Sequence, residues 1–345
     1  MATPTDHSAD GFELPVVAPV CPSANSPGVS ELPVESDSCP SVPPQSAAQH
    51  QTQRGGLWSR VVCRLVSAVY DRSLGVFPPK VRIETTNACN AKCVICPHHK
   101  MTREVQRIDG DLYRRIIDEC VEYGCREVHL HNFGEPFLDK RLEEFVAYAK
   151  GAGLPKVKIF SNGSIISEQR ARGVLQAGID EIKVSFDGAT AEEFERIRYP
   201  LKFDKVVDNM VRLVKIRDEL GSPARIYVAC CSTSDKTQTM AMLESMVDGF
   251  SFGKIHNWGT EDYETARTKL RKPCRRVWET FTVLSNGDVS LCCLDYDGSV
   301  ILGNVHRQPI REIWRSEKYR DIRHAHRRAE QHRLALCGRC SKAYL

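Results

Sequence analysis

Three thiols crowd into eight residues, Cys89-Asn90-Ala91-Lys92-Cys93-Val94-Ile95-Cys96, spaced C-x3-C-x2-C. They follow a strand-like run, Val81-Arg82-Ile83-Glu84-Thr85, and so fall in a loop at a strand end. Thiols grouped this way suit a soft metal or an iron–sulfur cluster. The ligand count is informative: a closed structural zinc site takes four protein ligands. Three thiolates on a cubane of four irons would leave one iron free to bind something else. A second set stands near the C-terminus: Cys274, then Cys292 with Gly287 ahead of it, then Cys337-Gly338-Arg339-Cys340. Four cysteines in two pairs are ligands for zinc or for iron and sulfur.

Positioning these thiols requires a frame, and from Lys80 the sequence alternates strand and helix patterns. Candidate strands are 80–85, 126–131, 157–161, 181–186, 224–230 and 252–257; candidate helices are 110–123, 139–152, 167–177, 203–219 and 237–248. Six strands with helices between them imply a parallel sheet, whose chemistry sits at the C-terminal strand ends. Four successive loops bring notable residues to that edge. These are Cys89–Cys96, Gly134-Glu135-Pro136, Ser161-Asn162-Gly163 and Ser185-Phe186-Asp187-Gly188.

Composition sets outer limits. The chain has 345 residues, a hydrophobic content of 41% and a formal net charge of +4, enough for a large core and too little charge to argue for nucleic acid. No run approaches the length of a membrane span. The first residues lack the basic start and apolar run of a secretory signal, and residues 1–53 hold six acids and no Lys or Arg, unlike a mitochondrial presequence. Fifteen cysteines grouped as C-x-x-C point to thiolates in a reducing cytoplasm rather than to disulfides. Residues 1–55 hold nine of the eighteen prolines and one aromatic, Phe12, and read as a disordered tail in which Cys21 and Cys39 are bystanders. Residues 56–79 read as an amphipathic helical lead-in packed on the main domain, with Leu57, Val61, Val62, Leu65, Val66 and Val69 at helical spacing; a membrane-surface helix is the other reading. The remaining divisions are 80–260 and 261–345. In the latter, Ser285-Asn286-Gly287-Asp288 marks a hairpin turn and 309–329 one helical stretch.

C-x3-C-x2-C after the first strand, with Gly-Glu-Pro after the second, resembles the radical S-adenosylmethionine (SAM) superfamily over roughly residues 80–258. The resemblance implies a partial (β/α)6 TIM-type barrel in the α/β class. It implies that Cys89, Cys93 and Cys96 hold a [4Fe–4S] cluster whose open iron is chelated by SAM. Gly134 and Glu135 then lie near the SAM amino group, and Asn162 and Ser185 near the ribose. In that family one electron splits SAM into methionine and a 5′-deoxyadenosyl radical, which removes hydrogen from a C–H bond; the protein supplies orientation and a dry site. The chain departs from the family at Phe133, where a glycine is frequent, and at Ile95, where an aromatic is frequent. The C-terminal cysteines resemble the SPASM and shorter Twitch extensions. By that resemblance Cys274, Cys292, Cys337 and Cys340 hold one auxiliary [4Fe–4S] cluster, with Cys292 favoured over Cys293 by the Gly-x4-Cys spacing. A single auxiliary cluster resembles the Twitch dehydrogenases, in which it accepts an electron as a sugar or cyclitol alcohol is oxidised. An external one-electron reductant of flavodoxin or ferredoxin type is implied, with a small-molecule substrate.

Other side chains keep two readings. Cys230 and Cys231 end the fifth strand; either thiol there is a hydrogen donor for an epimerase or a small core residue. Cys63, Cys120 and Cys125 read as core, and His98 and His99 as surface neighbours of the loop. His256 is a substrate contact or a structural histidine; Arg196 and Arg198 are solvated or bind the SAM carboxylate. The basic run Arg320 to Arg333 lacks interleaved aromatics and reads as a solvated helix face. Three functions compete: a radical SAM oxidoreductase for a sugar or cyclitol, a radical SAM epimerase or peptide maturase, and a non-catalytic zinc-binding interaction protein.

Overall fold

Short runs with apolar side chains at every second position become the strands of the computed structural model, which describes residues 56–230, 235–258 and 270–343. They are β1 (Lys80–Ile83), β2 (Glu127–His129), β3 (Val157–Ser161), β4 (Glu181–Ser185), β5 (Arg225–Cys230) and β6 (Gly249–Phe252). All six pair in parallel and in sequence order, the arrangement of a partial (β/α)6 barrel. Helix α1 (Leu57–Arg72) precedes them. The crossovers carry α2 (Gly110–Glu122), α3 (Leu142–Gly151), α4 (Glu168–Gln176), α5 (Ala191–Ile197), α6 (Phe203–Glu219) and α7 (Lys236–Leu243). Capping fixes several starts: Asp109 Oδ1 accepts from Leu112 N–H at 2.8 Å, and Thr190 Oγ1 from Glu193 N–H at 3.2 Å.

Each strand divides its residues between two faces. Val81, Ile83, Val128, Ile159, Ile182, Val184 and Val228 are buried in the hydrophobic core with Leu112, Ile116, Phe145, Val174 and Leu213 of the helices. The alternate positions are polar: Arg82, His129, Lys158, Glu181 and Lys183. A parallel sheet covered on both faces reads as continuous apolar runs, so this alternation marks a polar inner face.

The sixth strand departs from expectation. It occupies Gly249–Phe252, not 252–257, because α7 ends at Leu243 and Asp248 N–H already bonds Ile226 O at 2.8 Å, which brings the chain into register earlier. The C-terminal region extends the same sheet. Its elements are α8 (Arg276–Glu279), β7 (Thr280–Val283), β8 (Asp288–Ser290), β9 (Ile301–Asn304), α9 (Ile310–Trp314), α10 (Glu317–Arg327) and α11 (Ala335–Arg339). Strand β7 pairs in parallel with the edge of β1, and β8 and β9 follow antiparallel, giving nine strands. The expected boundary at 260/261 lies outside the described residues. The turn between β7 and β8 forms as expected: Gly287 sits at φ +82° and its N–H bonds Leu284 O at 2.9 Å. The stretch 309–329 is two helices, because Ser316 breaks it and caps α10 through Tyr319 N–H.

The lead-in helix is present, but of the stripe its periodicity indicates only Val62 and Val66 are half-buried. Ser59, Cys63 and Ser67 are buried, and Leu57, Val61, Leu65 and Val69 are exposed. Small side chains let α1 approach closely. Its Asp71 then receives Trp278 Nε1–H at 2.8 Å and two bonds from Arg327 of α10 at 2.6 and 2.9 Å. Cys63, Cys120 and Cys125 are buried. No helix among the described residues is long and apolar enough to cross a membrane.

Glu84, just past β1, holds the two parts of the sheet together. It is fully buried and takes both Arg103 guanidinium nitrogens at 2.8 and 2.9 Å. It also accepts from Ser285 N–H and Oγ–H at 3.0 and 3.1 Å and from Phe133 N–H at 3.4 Å. One carboxylate thus ties the thiol loop, the Gly-Glu-Pro loop and the C-terminal hairpin. Glu84→Ala leaves a buried cation and several donors without an acceptor, and is expected to cost about 3–5 kcal/mol of folding stability, read by urea denaturation.

Candidate active site

The thiol triplet lies at the C-terminal edge of the sheet, on a loop tied from several sides. Lys92 N–H bonds Tyr199 O at 2.7 Å and Val94 N–H bonds Ile197 O at 2.9 Å, so the end of α5 and the chain after it brace the loop. Trp258 Nε1–H bonds Ile95 O at 3.1 Å. Asn87 Oδ1 accepts from Gln106 N–H at 2.7 Å, and its amide donates to Glu104 O at 2.8 Å. His98 is spent on Asn87 O at 2.7 Å, and His99 is exposed.

Cys89, Cys93 and Cys96 lie within electrostatic reach of one another. Burial, with the negative neighbours Glu135, Cys93 and Cys96, outweighs the Ala91 N–H and pushes the Cys89 thiol up to about 12. Burial pushes Cys96 up to about 11; burial also raises Cys93, where Arg198 opposes it. Such thiols give up their protons to a metal rather than to water. The neighbouring carboxylates are already committed. Glu135 accepts from Ser161 Oγ–H at 2.8 Å, Asn162 N–H at 2.6 Å and Phe137 N–H at 3.1 Å. Asp187 pairs with Arg198 in a buried ion pair. The set fits a cluster held by three cysteines.

The four residues expected around SAM sort differently. Gly134 sits at φ +97°, and a Cβ there would come within 2.5 Å of Thr86 O, so its bare α-carbon lets the two loops touch. Glu135 N–H bonds Ala88 O at 2.8 Å, and its carboxylate joins the second and third loops. Asn162 donates to Asn90 Oδ1 at 2.9 Å, directly beside Cys89. Ser185 ends β4 opposite Ala229, half-buried at the same edge. Phe133 fills the place of the missing glycine, its ring 5.7 Å from Trp258 and 6.1 Å from Tyr296.

Of the two arginines considered, Arg196 is exposed and Arg198 is buried beside Cys93. Cys230 belongs to the hydrophobic core with Val228, the position of a packing residue, while Cys231 lies outside the described residues. His256 stands edge-on to Trp258 at 5.6 Å, and burial, with Lys342 and Arg276 adding to it, lowers it to about 4.

A second site lies in the C-terminal region. Cys274, Cys292, Cys337 and Cys340 line one small cavity with Leu291, Leu294 and Arg276. Among the described residues no three His, Cys, Asp or Glu side chains converge as ligands of a single ion do. Four thiols lining a mostly apolar cavity make a complete ligand set for an iron–sulfur cluster or for zinc. Cys293 does not line the cavity. Burial would raise its thiol, but Arg82 and Arg276 outweigh burial and lower it. Arg276 is held firmly charged by the thiols around it, Cys293 foremost.

Sequence reading missed the polar inner face. Arg82, His129, Lys158 and Glu181 occupy successive registered positions across β1–β4. Glu127 takes Lys158 at 3.2 Å and His129 at 3.2 Å; Lys183 reaches Glu181 at 3.5 Å and lies 5.3 Å over Tyr227. Burial overcomes the pull of Glu127 and, with Arg82 and Lys158, brings His129 down to about 3. Between about pH 6.5 and 3 the unfolded chain binds a proton here that the folded chain refuses. Stability therefore falls with acidification, by up to ~1.4 kcal/mol per pH unit. His129→Gln is expected to flatten that slope, measured by denaturation at several pH values below 7.

The family model described as the radical SAM superfamily matches residues 83–223, and the one described as an iron–sulfur cluster-binding domain, SPASM, matches residues 274–341. The chain is a radical SAM enzyme with a SPASM region. Its thiol loop and its cysteine-lined cavity fall one in each match. A SAM-dependent 2-deoxy-scyllo-inosamine dehydrogenase of Niallia circulans is 21% identical over 266 residues, covering 76% of this chain and 92% of that protein. A GTP 3′,8-cyclase of Chlorobaculum tepidum is 30% identical, but over only 39% of this chain and 40% of its own length. Among solved structures, BtrN in complex with AdoMet and 2-DOIA superposes with a TM-score of 0.55 at 19% identity, covering 76% of this chain and 92% of that one. Native anSMEcpe with AdoMet and a Cp18Cys peptide gives 0.57 at 15% identity, covering 76% and 89%. At such identities the structures speak for a shared fold.

Proposed function

We propose that this radical SAM enzyme oxidises a secondary alcohol of a sugar or cyclitol, using two [4Fe–4S] clusters. The observation that carries the reading is the cavity lined by four cysteines, a full ligand set separate from the three-cysteine loop. The likeness to the 2-deoxy-scyllo-inosamine dehydrogenase along most of both chains supports it. When bound, SAM and the loop cluster would supply a hydrogen-abstracting radical, and the second cluster a one-electron acceptor.

The residues of the chain do the rest. Cys89, Cys93 and Cys96 would hold the first cluster, and Glu135 and Asp187, engaged elsewhere, are not free to add a fourth ligand. Gly134, Glu135, Asn162 and Ser185 shape the SAM side of the edge. Arg198, paired with Asp187, gives positive charge beside Cys93. Phe133, Trp258 and Tyr296 wall the loop against water. Arg82 and His129, at the C-terminal ends of β1 and β2, offer polar groups that suit a hydroxylated substrate. Cys274, Cys292, Cys337 and Cys340 hold the second cluster, with Arg276 favouring its reduced state. Electrons for the first cluster come from a flavodoxin- or ferredoxin-type reductant in a reducing cytoplasm.

Anaerobic reconstitution tests the reading. About eight irons per chain, reductant-dependent release of 5′-deoxyadenosine, and a ketone from an amino-cyclitol panel are expected. Firmly bound zinc without SAM cleavage would contradict it, and solvent deuterium in a product at unchanged oxidation level would make the enzyme an epimerase.

A further inference from the structure

Helix α1 turns its large apolar side chains to solvent. Leu57 is 76% exposed, Trp58 75%, Leu65 65%, Val69 60% and Val61 39%. At 100° per residue these lie on one side of the helix together with Ala68 and Arg72, while Ser59, Cys63 and Ser67 face the protein. Arg60 and Arg64 border the stripe, and both are exposed, as is Arg72. None of the three arginines forms an ion pair among the described residues. Asp71, the one acid of α1, is consumed by Arg327 and Trp278. The outer side of α1 therefore carries apolar groups and positive charge only.

That combination discriminates between occupants. A protein occupant would have to bring an acid of its own to each of these arginines, because α1 provides none. At a lipid surface the same side chain reaches the phosphates while its stem stays with the acyl chains. A tryptophan at one end, an aliphatic stripe and flanking arginines are what an interfacial helix needs.

We propose that α1 is a membrane-surface helix that seats the enzyme on an anionic lipid bilayer, lying in the headgroup plane without crossing it. This is independent of the substrate reading, because no side chain of α1 lines the cysteine cavity.

The test uses the full-length holoprotein and sedimentation with phosphatidylcholine vesicles, with and without phosphatidylglycerol. Binding is expected only with phosphatidylglycerol, and is lost in about 0.5 M salt, where exposed charges are screened. Val61→Asp with Leu65→Asp is expected to lower the partition at least about tenfold, and Arg60→Ala or Arg64→Ala about fivefold each. Release of 5′-deoxyadenosine in solution stays at the wild-type level in all of them. Trp58 emission shifts to the blue on anionic vesicles, a shift absent in Trp58→Phe. No sedimentation of the wild type, or sedimentation that the Val61/Leu65 pair leaves unchanged, overturns the proposal. So does a wild-type dimer that ignores vesicles and that the same pair converts to monomer, which would make a second copy the occupant.

Discussion

Cys93→Ala, reconstituted anaerobically, is expected to release no more 5′-deoxyadenosine than a no-protein control and to hold about four irons fewer than the wild type. The loop around Cys93 is held by backbone bonds that do not involve its thiol: Lys92 N–H to Tyr199 O and Val94 N–H to Ile197 O. Truncation at the β-carbon therefore removes a ligand and leaves the loop in place. With two thiols remaining, the nearest polar groups are Arg198 and carboxylates already bonded to protein donors, so nothing nearby replaces the lost ligand. Circular dichroism unchanged from wild type, with iron count and SAM cleavage measured together, checks the result. Retained SAM cleavage at full rate would place the cluster elsewhere.

Cys337→Ala combined with Cys340→Ala is expected to do the converse. Both cysteines line the C-terminal cavity, Cys337 within α11 and Cys340 just beyond it. Removing them again lowers the iron by about four per chain, but the three-cysteine loop is untouched and SAM is still cleaved. What disappears is the oxidised product: each 5′-deoxyadenosine is then matched by a substrate radical that regains an electron from the reductant and a proton and returns as substrate, not by ketone. The ratio of ketone to 5′-deoxyadenosine, near one in the wild type, falls towards zero. A ratio that stays near one would leave the second cluster a structural role only.

The two thiol sets were legible because cysteine spacing is local and because strand ends can be located from alternating β-branched residues. The parallel order of β1–β6 followed from the alternation of strand and helix patterns along the chain. The sixth strand was misplaced because Gly249-Phe250-Ser251-Phe252 carries little β-branching, and its register comes from Asp248 bonding to β5. The pairing of β7 with β1 is non-local and left no trace in either segment. One error comes from the assumption that apolar periodicity marks the buried face. On α1 the apolar stripe is outside and the serines are inside. On the strands the charged alternate residues Arg82, His129, Lys158 and Glu181 went unread, and they form the registered polar row of the sheet. That V-R-I, V-H-L, V-K-I pattern was visible, and in a parallel sheet it is the signal of a polar interior. The committed state of Glu135 was invisible, because its partners Ser161 and Asn162 belong to another loop.

The open iron is the point on which the chemistry turns. Electron paramagnetic resonance of the reduced, reconstituted enzyme, recorded with and without SAM, addresses it most directly. SAM is expected to shift the signal of one cluster and leave that of the other unchanged, with the shifted component absent in Cys93→Ala. A spectrum indifferent to SAM would mean that every iron already has its protein ligand.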